Sequence, residues 1–162
     1  MTIGIGASLP EATFFRLGEK GVEQVKAADL FKGRKVAFFG LPGAYTGTCS
    51  TQHVPSFIRV ADDLRGKGVD EILCIATDGP HVMDAWSKAT GGDKAGITFL
   101  SDATGEFTKG LGLNFDAPPI GFFGRSKRYS AYAVDGVVQQ YNAEPNAGQC
   151  DISGGETLRD QI

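Results

Sequence analysis

Residues 42–50 have the sequence PGAYTGTCS and lie between an apolar strand and an amphipathic helix. The preceding run, KVAFFGL at 35–41, has the composition of a buried strand. Beyond residue 50, apolar side chains recur at helical spacing, at Val54, Phe57, Ile58, Ala61 and Leu64. A cysteine, Cys49, therefore lies where a strand passes into a helix.

Cys49 occupies a position that is typical of a reactive thiolate. If Thr46 caps the helix, Cys49 lies in the first turn, and the Thr46 hydroxyl accepts a hydrogen bond from the Cys49 N–H. Free N–H groups and the helix dipole favour an anion there, and reactive cysteines often occupy such positions. A lone cysteine is otherwise most often a small buried apolar residue, so the position alone leaves both interpretations open.

The composition predicts one globular domain over residues 1–162. The chain is 41% hydrophobic and 22% charged, with a net charge of −3 and no long run of one sign. It therefore gives no basis for nucleic-acid or membrane binding, and no apolar stretch is long enough for a transmembrane helix. The first residues lack the basic and apolar regions of a secretory signal. Three cysteines without close pairing argue against a disulfide scaffold, so we expect a cytoplasmic protein.

Apolar runs and turn signals predict alternating strands and helices along the chain. Strands are expected at 12–17, 22–26, 35–41, 71–77, 97–100, 129–134 and 137–141, and helices at 27–31, after Cys49, from Pro80 to Gly91, at 104–111 and at 153–162. We also expect a kink at Pro55, a loop at 112–124, and a capping box between Ser153 and Glu156. This order is typical of an α/β domain with a central mixed β-sheet flanked by helices, and a thioredoxin-like fold fits it.

Four segments of the chain resemble the peroxiredoxin family. Pro42, Thr46 and Cys49 have the spacing Pro-x-x-x-Thr-x-x-Cys, which is similar to the active-site motif of that family. The run PGAYTGTCS, with QHVPSF after it, resembles the peroxiredoxin 5 (type II) subfamily. The other similar segments are 127–136, 142–145 and 153–158. The resemblance covers essentially the whole chain.

The resemblance implies a thiol peroxidase that needs no metal, haem or flavin cofactor. It would reduce hydrogen peroxide and alkyl hydroperoxides to water and alcohols, in antioxidant defence and redox homeostasis. Cys49 would be the peroxidatic nucleophile and would become a sulfenic acid. Arg128, rather than the nearby Arg125, would hold the thiolate ionised and bind peroxide, and Arg125 is expected to be a solvated charge. Thr46 would orient the peroxide, and Pro42 would shield the thiolate from water.

The other two cysteines bear on how the sulfenic acid is reduced. Cys74 lies in the middle of an apolar strand, where we expect it to be part of the core. Cys150 lies in a polar segment where some members of the subfamily carry a resolving cysteine, although slightly earlier than that pattern expects. A Cys49–Cys150 disulfide, reduced by thioredoxin, is therefore one alternative. The ending at 152–158 is more similar to members recycled by glutathione or glutaredoxin, which we favour here.

The resemblance also implies a homodimer. The apolar run at 119–123 is a candidate contact surface, because exposed aromatic residues often mark interfaces. Burial of the same run in the core of the protein is an equal alternative.

Two further functions would use the same residues differently. A non-enzymatic, thioredoxin-like redox-sensing module would share the fold without a fast reaction of Cys49 with peroxide. A Cys–His hydrolase or transferase would use His53, four residues after Cys49 on the same helical face, as its base. The resemblance gives His53 only a supporting role. Cys49 and His53 supply two of the four ligands of a structural zinc site, so we expect no metal.

Overall fold

The computed structural model of the chain describes residues 3–146 and 148–162. Met1, Thr2 and Ala147 lie outside the described residues, and the expected lack of a secretory signal falls partly on the first two. The strands of the described part are β1 (Thr13–Gly18), β2 (Gly21–Lys26), β3 (Lys35–Gly40), β4 (Glu71–Ala76), β5 (Ile97–Ser101), β6 (Asn114–Ala117), β7 (Phe122–Ser126), β8 (Tyr129–Val134) and β9 (Val137–Ala143). Its α-helices are α1 (Ala27–Phe31), α2 (Val54–Gly66), α3 (Pro80–Thr90), α4 (Glu106–Gly110) and α5 (Gly155–Gln161).

A seven-stranded mixed sheet in the order β2-β1-β5-β4-β3-β8-β9 forms the centre of the fold. Strands β3, β4 and β5 run parallel, whereas β8 is antiparallel to β3 and β1 is antiparallel to β5. The predicted mixed sheet is therefore confirmed. The hairpin of β8 and β9 also forms as predicted, since Asp135 and Gly136 take the positive φ angles of 50° and 73° that a type I′ turn requires.

Helices cover both faces of this sheet. On one face, Phe38 packs with Leu73 and Phe107 in a core that α1 and α4 close. On the other face, Phe39 stacks on Phe57 of α2, with ring centroids 4.0 Å apart, in a core shared with α3 and α5. Successive residues of β3 thus enter opposite cores, which is why its apolar run is continuous rather than alternating.

The prediction of a loop at 112–124 is wrong. Strands β6 and β7 pair antiparallel in a separate two-stranded sheet, and the 3₁₀ turn Pro118–Ile120 joins them. Prolines interrupt the alternation by which a strand is recognised, so the sequence concealed this pairing. In the structure they occupy only the turn between the strands.

The helix that carries Cys49 begins with an irregular segment. Cys49–His53 is π-helical, and the Val54 N–H donates to the Cys49 carbonyl across this wider turn. A kink was expected at Pro55. The irregularity that the structure shows in this region is a change from π-helix to α-helix, just before Pro55. Pro55 has no N–H to donate, and it occupies the first turn of α2, where the missing donor is tolerated.

The prediction of a capping box at the last helix is wrong. Gly154 is the N-cap of α5, and its helix starts two residues later than predicted, at Gly155. The Ser153 hydroxyl instead donates to the Glu144 carboxylate, 2.6 Å away. The Glu156 side chain pairs with Arg59 of α2. Partners from distant parts of the chain have thus replaced the local hydrogen bonds that the capping box would need.

Candidate active site

The loop after β3 brings Cys49 to the carboxyl edge of the parallel strands, where the thiol is fully buried. The helical turn starts at Thr46, whose carbonyl accepts the Ser50 N–H at 3.0 Å. The Thr46 hydroxyl donates to the Gly43 carbonyl at 2.8 Å. Within the described residues, the predicted bond from the Cys49 N–H to this hydroxyl is not formed. Thr46 therefore uses its proton to hold the loop, and its oxygen lone pairs remain available to an incoming O–H group.

A buried arginine lies against the Cys49 thiol. Arg128 directly precedes β8, and its Nη2 donates to Cys49 Sγ at 3.0 Å. Its side chain is only 1% exposed, so the guanidinium acts on sulfur in a water-poor surrounding, where charge–charge attraction is strong. Of the two arginines considered from the sequence, Arg128 is thus the one that contacts Cys49. Arg125 was expected to be a solvated charge, which is wrong, because it forms an ion pair with Asp78.

His53 holds Arg128 and does not contact the thiol directly in any described hydrogen bond. Arg128 Nη1 donates to His53 Nδ1 at 3.0 Å, and His53 Nε2–H donates to the Ser153 carbonyl, also at 3.0 Å. Because a carbonyl only accepts, this pairing fixes the proton on Nε2. Burial, and then the charge of Arg128, lower the pKa of His53 well below its usual value. The imidazole is therefore neutral with its lone pair engaged, and it lacks the free base that a Cys–His hydrolase needs.

Glu144 is a buried residue of the site for which the sequence gave no role. Its Oε2 accepts three hydrogen bonds, from the N–H groups of Asp151 and Ser153 and from the Ser153 hydroxyl, at 2.6–2.8 Å. These bonds fix the Ser153 carbonyl on which His53 depends. A chain of buried contacts thus runs from Glu144 through Ser153, His53 and Arg128 to Cys49. Arg128 is 75 residues or more from both His53 and Cys49, and Ser153 is 100 residues from His53, so spacing along the chain carried no signal for these contacts.

A groove of about 890 Å³ opens beside the buried thiol. Pro42, Thr46 and Arg128 are among the residues that line it. The remainder is largely apolar and includes Leu113, Phe115, Ala117, Ile120, Phe122 and Tyr141. The predicted residues Pro42, Thr46, Cys49 and Arg128 are therefore gathered at one place. The groove thus combines polar groups from around the Cys49 site with apolar side chains, several of which come from the segment of β6 and β7.

The other two cysteines differ in their surroundings, and both are free thiols. Cys74 is fully buried in β4, as predicted, and burial raises its pKa well above the usual value. Cys150 is half-buried after β9, and the Ser153 hydroxyl lies 3.9 Å from its sulfur. Burial raises the pKa of Cys150 as well, so its thiol is held in the less nucleophilic, protonated form.

Within 3–146 and 148–162, no three His, Cys, Asp or Glu side chains converge as ligands for a metal ion. None of the helices in the described part combines the length and the apolar character needed to cross a membrane.

Comparison with protein families and relatives gives a consistent result. The family model described as Redoxin matches residues 5–158. Peroxiredoxin-2F, mitochondrial, of Arabidopsis thaliana is 39% identical over 161 residues, which cover 97% of this chain and 78% of that protein. Peroxiredoxin-2C of Oryza sativa subsp. japonica is 41% identical over 157 residues, which cover 96% of each chain.

A solved structure shows the same fold. The reduced Prx3 of Vibrio vulnificus, crystallised in complex with H2O2, superposes with a TM-score of 0.92 at 37% sequence identity. The alignment covers 99% of each chain. This likeness confirms the thioredoxin-like α/β fold predicted from the sequence.

Proposed function

The chain belongs to the peroxiredoxin family and is a thiol peroxidase, and from this premise we propose that Cys49 is the residue that attacks peroxide. The observation that carries the proposal is the 3.0 Å contact between Arg128 Nη2 and Cys49 Sγ. The Arg128 guanidinium brings a positive charge and an N–H donor to the Cys49 sulfur, and such surroundings are typical of reactive cysteines. The peroxiredoxin 5 (type II) motif that begins at Pro42 gives the same assignment.

The reaction follows from the placement of these groups. The Cys49 sulfur forms a bond to one peroxide oxygen as the O–O bond breaks, and the bonding pair leaves with the second oxygen. That oxygen gains a proton and departs as water or an alcohol, while the cysteine becomes a sulfenic acid. Arg128 offers N–H donors to the charge that moves from sulfur to oxygen. Since His53 accepts from its other terminal nitrogen, the guanidinium is held in the orientation that points Nη2 at sulfur.

Thr46 is proposed to orient the peroxide. Its hydroxyl proton is committed to the Gly43 carbonyl, so towards the groove it offers lone pairs. It would accept a hydrogen bond from the O–H of a hydroperoxide and leave the oxygen to be attacked facing Cys49. Pro42, buried in the same loop, would keep bulk water from the sulfur.

We propose hydrogen peroxide and alkyl hydroperoxides as the substrates. Hydrogen peroxide needs only the polar groups of the groove, such as Arg128 and Thr46. The apolar wall formed by Phe115, Ile120 and Phe122 offers burial to the carbon chain of a larger hydroperoxide.

For the return to the thiol, we favour glutathione or glutaredoxin as the reductant. An internal disulfide requires attack by Cys150, but burial raises the pKa of that thiol and lowers its thiolate fraction. Moreover, the Thr48 hydroxyl donates to the Gly148 carbonyl at 2.9 Å, which ties the segment before Cys150 to the helix of Cys49. The alternative, a Cys49–Cys150 disulfide reduced by thioredoxin, requires this segment to rearrange.

Peroxide consumption with alternative reductants tests these assignments. We expect turnover with glutathione and glutaredoxin to persist in Cys150→Ser and Cys74→Ser and to vanish in Cys49→Ser. Fast turnover by Cys49→Ser would contradict the assignment of the nucleophile. Turnover that requires thioredoxin and is lost in Cys150→Ser would contradict the choice of reductant while leaving the nucleophile in place.

A homodimer is proposed on the basis of the 119–123 run. Its Ile120 and Phe123 side chains are 67% and 66% exposed, so this run is not part of the core of the described chain. We expect Phe123→Asp to lower the sedimentation coefficient to that of a monomer. The matched control Val22→Asp, at an exposed apolar residue on β2, should leave it unchanged. Equal coefficients for wild type and Phe123→Asp would contradict this contact surface.

The cytoplasmic location stays a prediction from the cysteine usage. The compared relatives include one whose name gives a mitochondrial location. Imaging of the tagged full chain in its own cell tests the prediction, and localisation to an organelle would contradict it.

A further inference from the structure

The loop at 42–46 is held from outside by a half-buried ion pair. Asp78 Oδ2 accepts the Ala44 N–H at 2.8 Å, and Asp78 Oδ1 accepts from Arg125 Nη1 at 3.2 Å. The same Arg125 nitrogen donates to the Pro42 carbonyl at 3.1 Å. One acidic and one basic side chain, from two separate elements, thus bind the loop at its first and third residues.

Both members of this pair are anchored. Asp78 follows β4, and its carbonyl accepts a hydrogen bond from the buried Ser101 hydroxyl at the end of β5. Arg125 lies in β7, and its guanidinium carbon is 5.3 Å from the centre of the Phe122 ring, a cation–π contact. Phe122 in turn lines the groove. The pair therefore connects the loop to the central sheet on one side and to the groove wall on the other.

The packing around Gly43 shows how closely the pair approaches the loop. A Cβ atom at this position would lie 2.5 Å from Arg125 Nη1 and 3.3 Å from Asp78 Oδ2. Both distances are shorter than an ordinary van der Waals contact. Only a residue without a side chain allows the carboxylate and the guanidinium to reach the backbone on either side of it.

The loop itself has an unfavourable local conformation. Tyr45 has a φ of 63°, in the left-handed region that a non-glycine residue seldom adopts, and its side chain is 58% exposed. Such a conformation persists only where surrounding contacts impose it. Thr46, the next residue, is the one proposed to orient peroxide, so contacts that fix the loop also fix its hydroxyl.

We propose that Asp78 and Arg125 are positioning residues of the peroxidase reaction, which hold Pro42 and Thr46 at the distance from Cys49 that the attack on peroxide requires. The inference rests on the proposed function of Cys49. Neither residue touches sulfur in the described contacts, so the pair acts through the loop. A displacement of about 1 Å in a positioning group lowers a rate by about a hundredfold, and we expect losses of about tenfold to a hundredfold.

The test measures the second-order rate constant for hydrogen peroxide with the reduced full chain. Asp78→Ala and Arg125→Ala should each lower it by about tenfold to a hundredfold. The double variant should fall no further than the worse single variant, because the two residues act as a unit. Arg125→Lys, which keeps the positive charge, should recover part of the loss.

The Arg34–Glu71 pair is a matched control. Its side chains are 33% and 21% exposed, against 26% and 14% for Arg125 and Asp78, and Arg34 also donates to a backbone carbonyl. Arg34→Ala and Glu71→Ala should change the rate constant by less than about twofold. Equal losses in both pairs would overturn the proposal, since they would indicate a general loss of stability.

A second readout separates failure of this inference from failure of the proposed function. Release of the loop should raise the rate of alkylation of Cys49 by iodoacetamide, located by peptide mass mapping, in Asp78→Ala and in Gly43→Ala. Gly43→Ala displaces the guanidinium without removing a charge. If wild type does not react with peroxide but alkylation rises, the pair holds the loop and the peroxidase assignment fails. If wild type reacts and both rates are unchanged in the variants, the peroxidase assignment stands and the positioning role is overturned.

Discussion

The burial of His53 allows a quantitative prediction of how the free energy of unfolding depends on pH. In the folded protein its imidazole lies between Arg128 and the Ser153 carbonyl, and burial and the nearby charge lower its pKa well below the usual value. His53→Gln keeps an amide oxygen for the arginine and an amide N–H for the carbonyl but removes the titrating group. The variant should therefore lose the part of the pH dependence of stability that belongs to His53.

The sign and size of that part follow from proton linkage. As the pH falls through about 6.5, the unfolded state protonates His53 while the folded state does not, so acidification favours unfolding. Between about pH 7.5 and about pH 5.5 this proton lowers the free energy of unfolding by about 1.4 kcal/mol. Stability is thus greater on the neutral side of this window and is lost towards the acid side.

Urea titrations at the two ends of the window measure this difference. Wild type should lose about 1.4 kcal/mol more than His53→Gln on acidification. His81→Gln, at the exposed second histidine of the chain, keeps the buried imidazole and should behave as wild type. Equal losses in wild type and His53→Gln, or a wild type that gains stability on acidification, would refute the neutral imidazole.

Three further variants test other contacts. Arg128→Ala removes the cation beside sulfur and should lower the rate constant for peroxide by about a hundredfold to a thousandfold. Stopped-flow fluorescence of Trp86 measures this rate constant, and a change below about threefold would contradict the prediction. Glu144→Gln should lower the free energy of unfolding in urea by about 3 kcal/mol, because three donors lose a carboxylate, and an unchanged urea midpoint would refute it. Gly155→Ala should lower the free energy of unfolding by about 2 kcal/mol, since a Cβ there would lie 2.6 Å from a backbone oxygen of α2. The control Gly66→Ala should leave this free energy unchanged, because the space around Gly66 is open.

Trp86 suits the fluorescence measurement because it is the one tryptophan of the chain and lies next to the reacting segment. Its Nε1 donates to the Ser50 hydroxyl at 3.0 Å, one residue beyond Cys49. Oxidation that moves the helical turn therefore changes the surroundings of the indole.

The parts of the fold that were predictable are those that local chemistry specifies. Strand β4 is a continuous apolar run. Helix α3 begins at Pro80 and ends before Gly91, the C-cap residue, which takes a left-handed φ of 79°. The pairing of β6 with β7 was hidden by the two prolines between them. The capping box at Ser153 failed because Glu144, a distant residue, competed for the same hydroxyl.

The candidate site was predictable to a similar degree. The position of Cys49 follows from the passage of a strand into a helix. Arg128 and Cys49 are 79 residues apart in the sequence, so their contact was predicted only from the family resemblance. The role of Arg125 was misjudged, because the sequence does not show that Asp78 lies beside it. Contacts between distant elements depend on the sheet order, which a pattern along the chain does not contain.

The most direct test of the central claim is the mass of the reduced protein within seconds of adding one equivalent of hydrogen peroxide. The placement of Arg128 against Cys49 predicts the gain of one oxygen atom, located by peptide mapping to Cys49. No rapid gain of oxygen, or oxygen found first on Cys74 or Cys150 with Cys49 still reduced, would contradict the assignment of Cys49 as the peroxidatic residue.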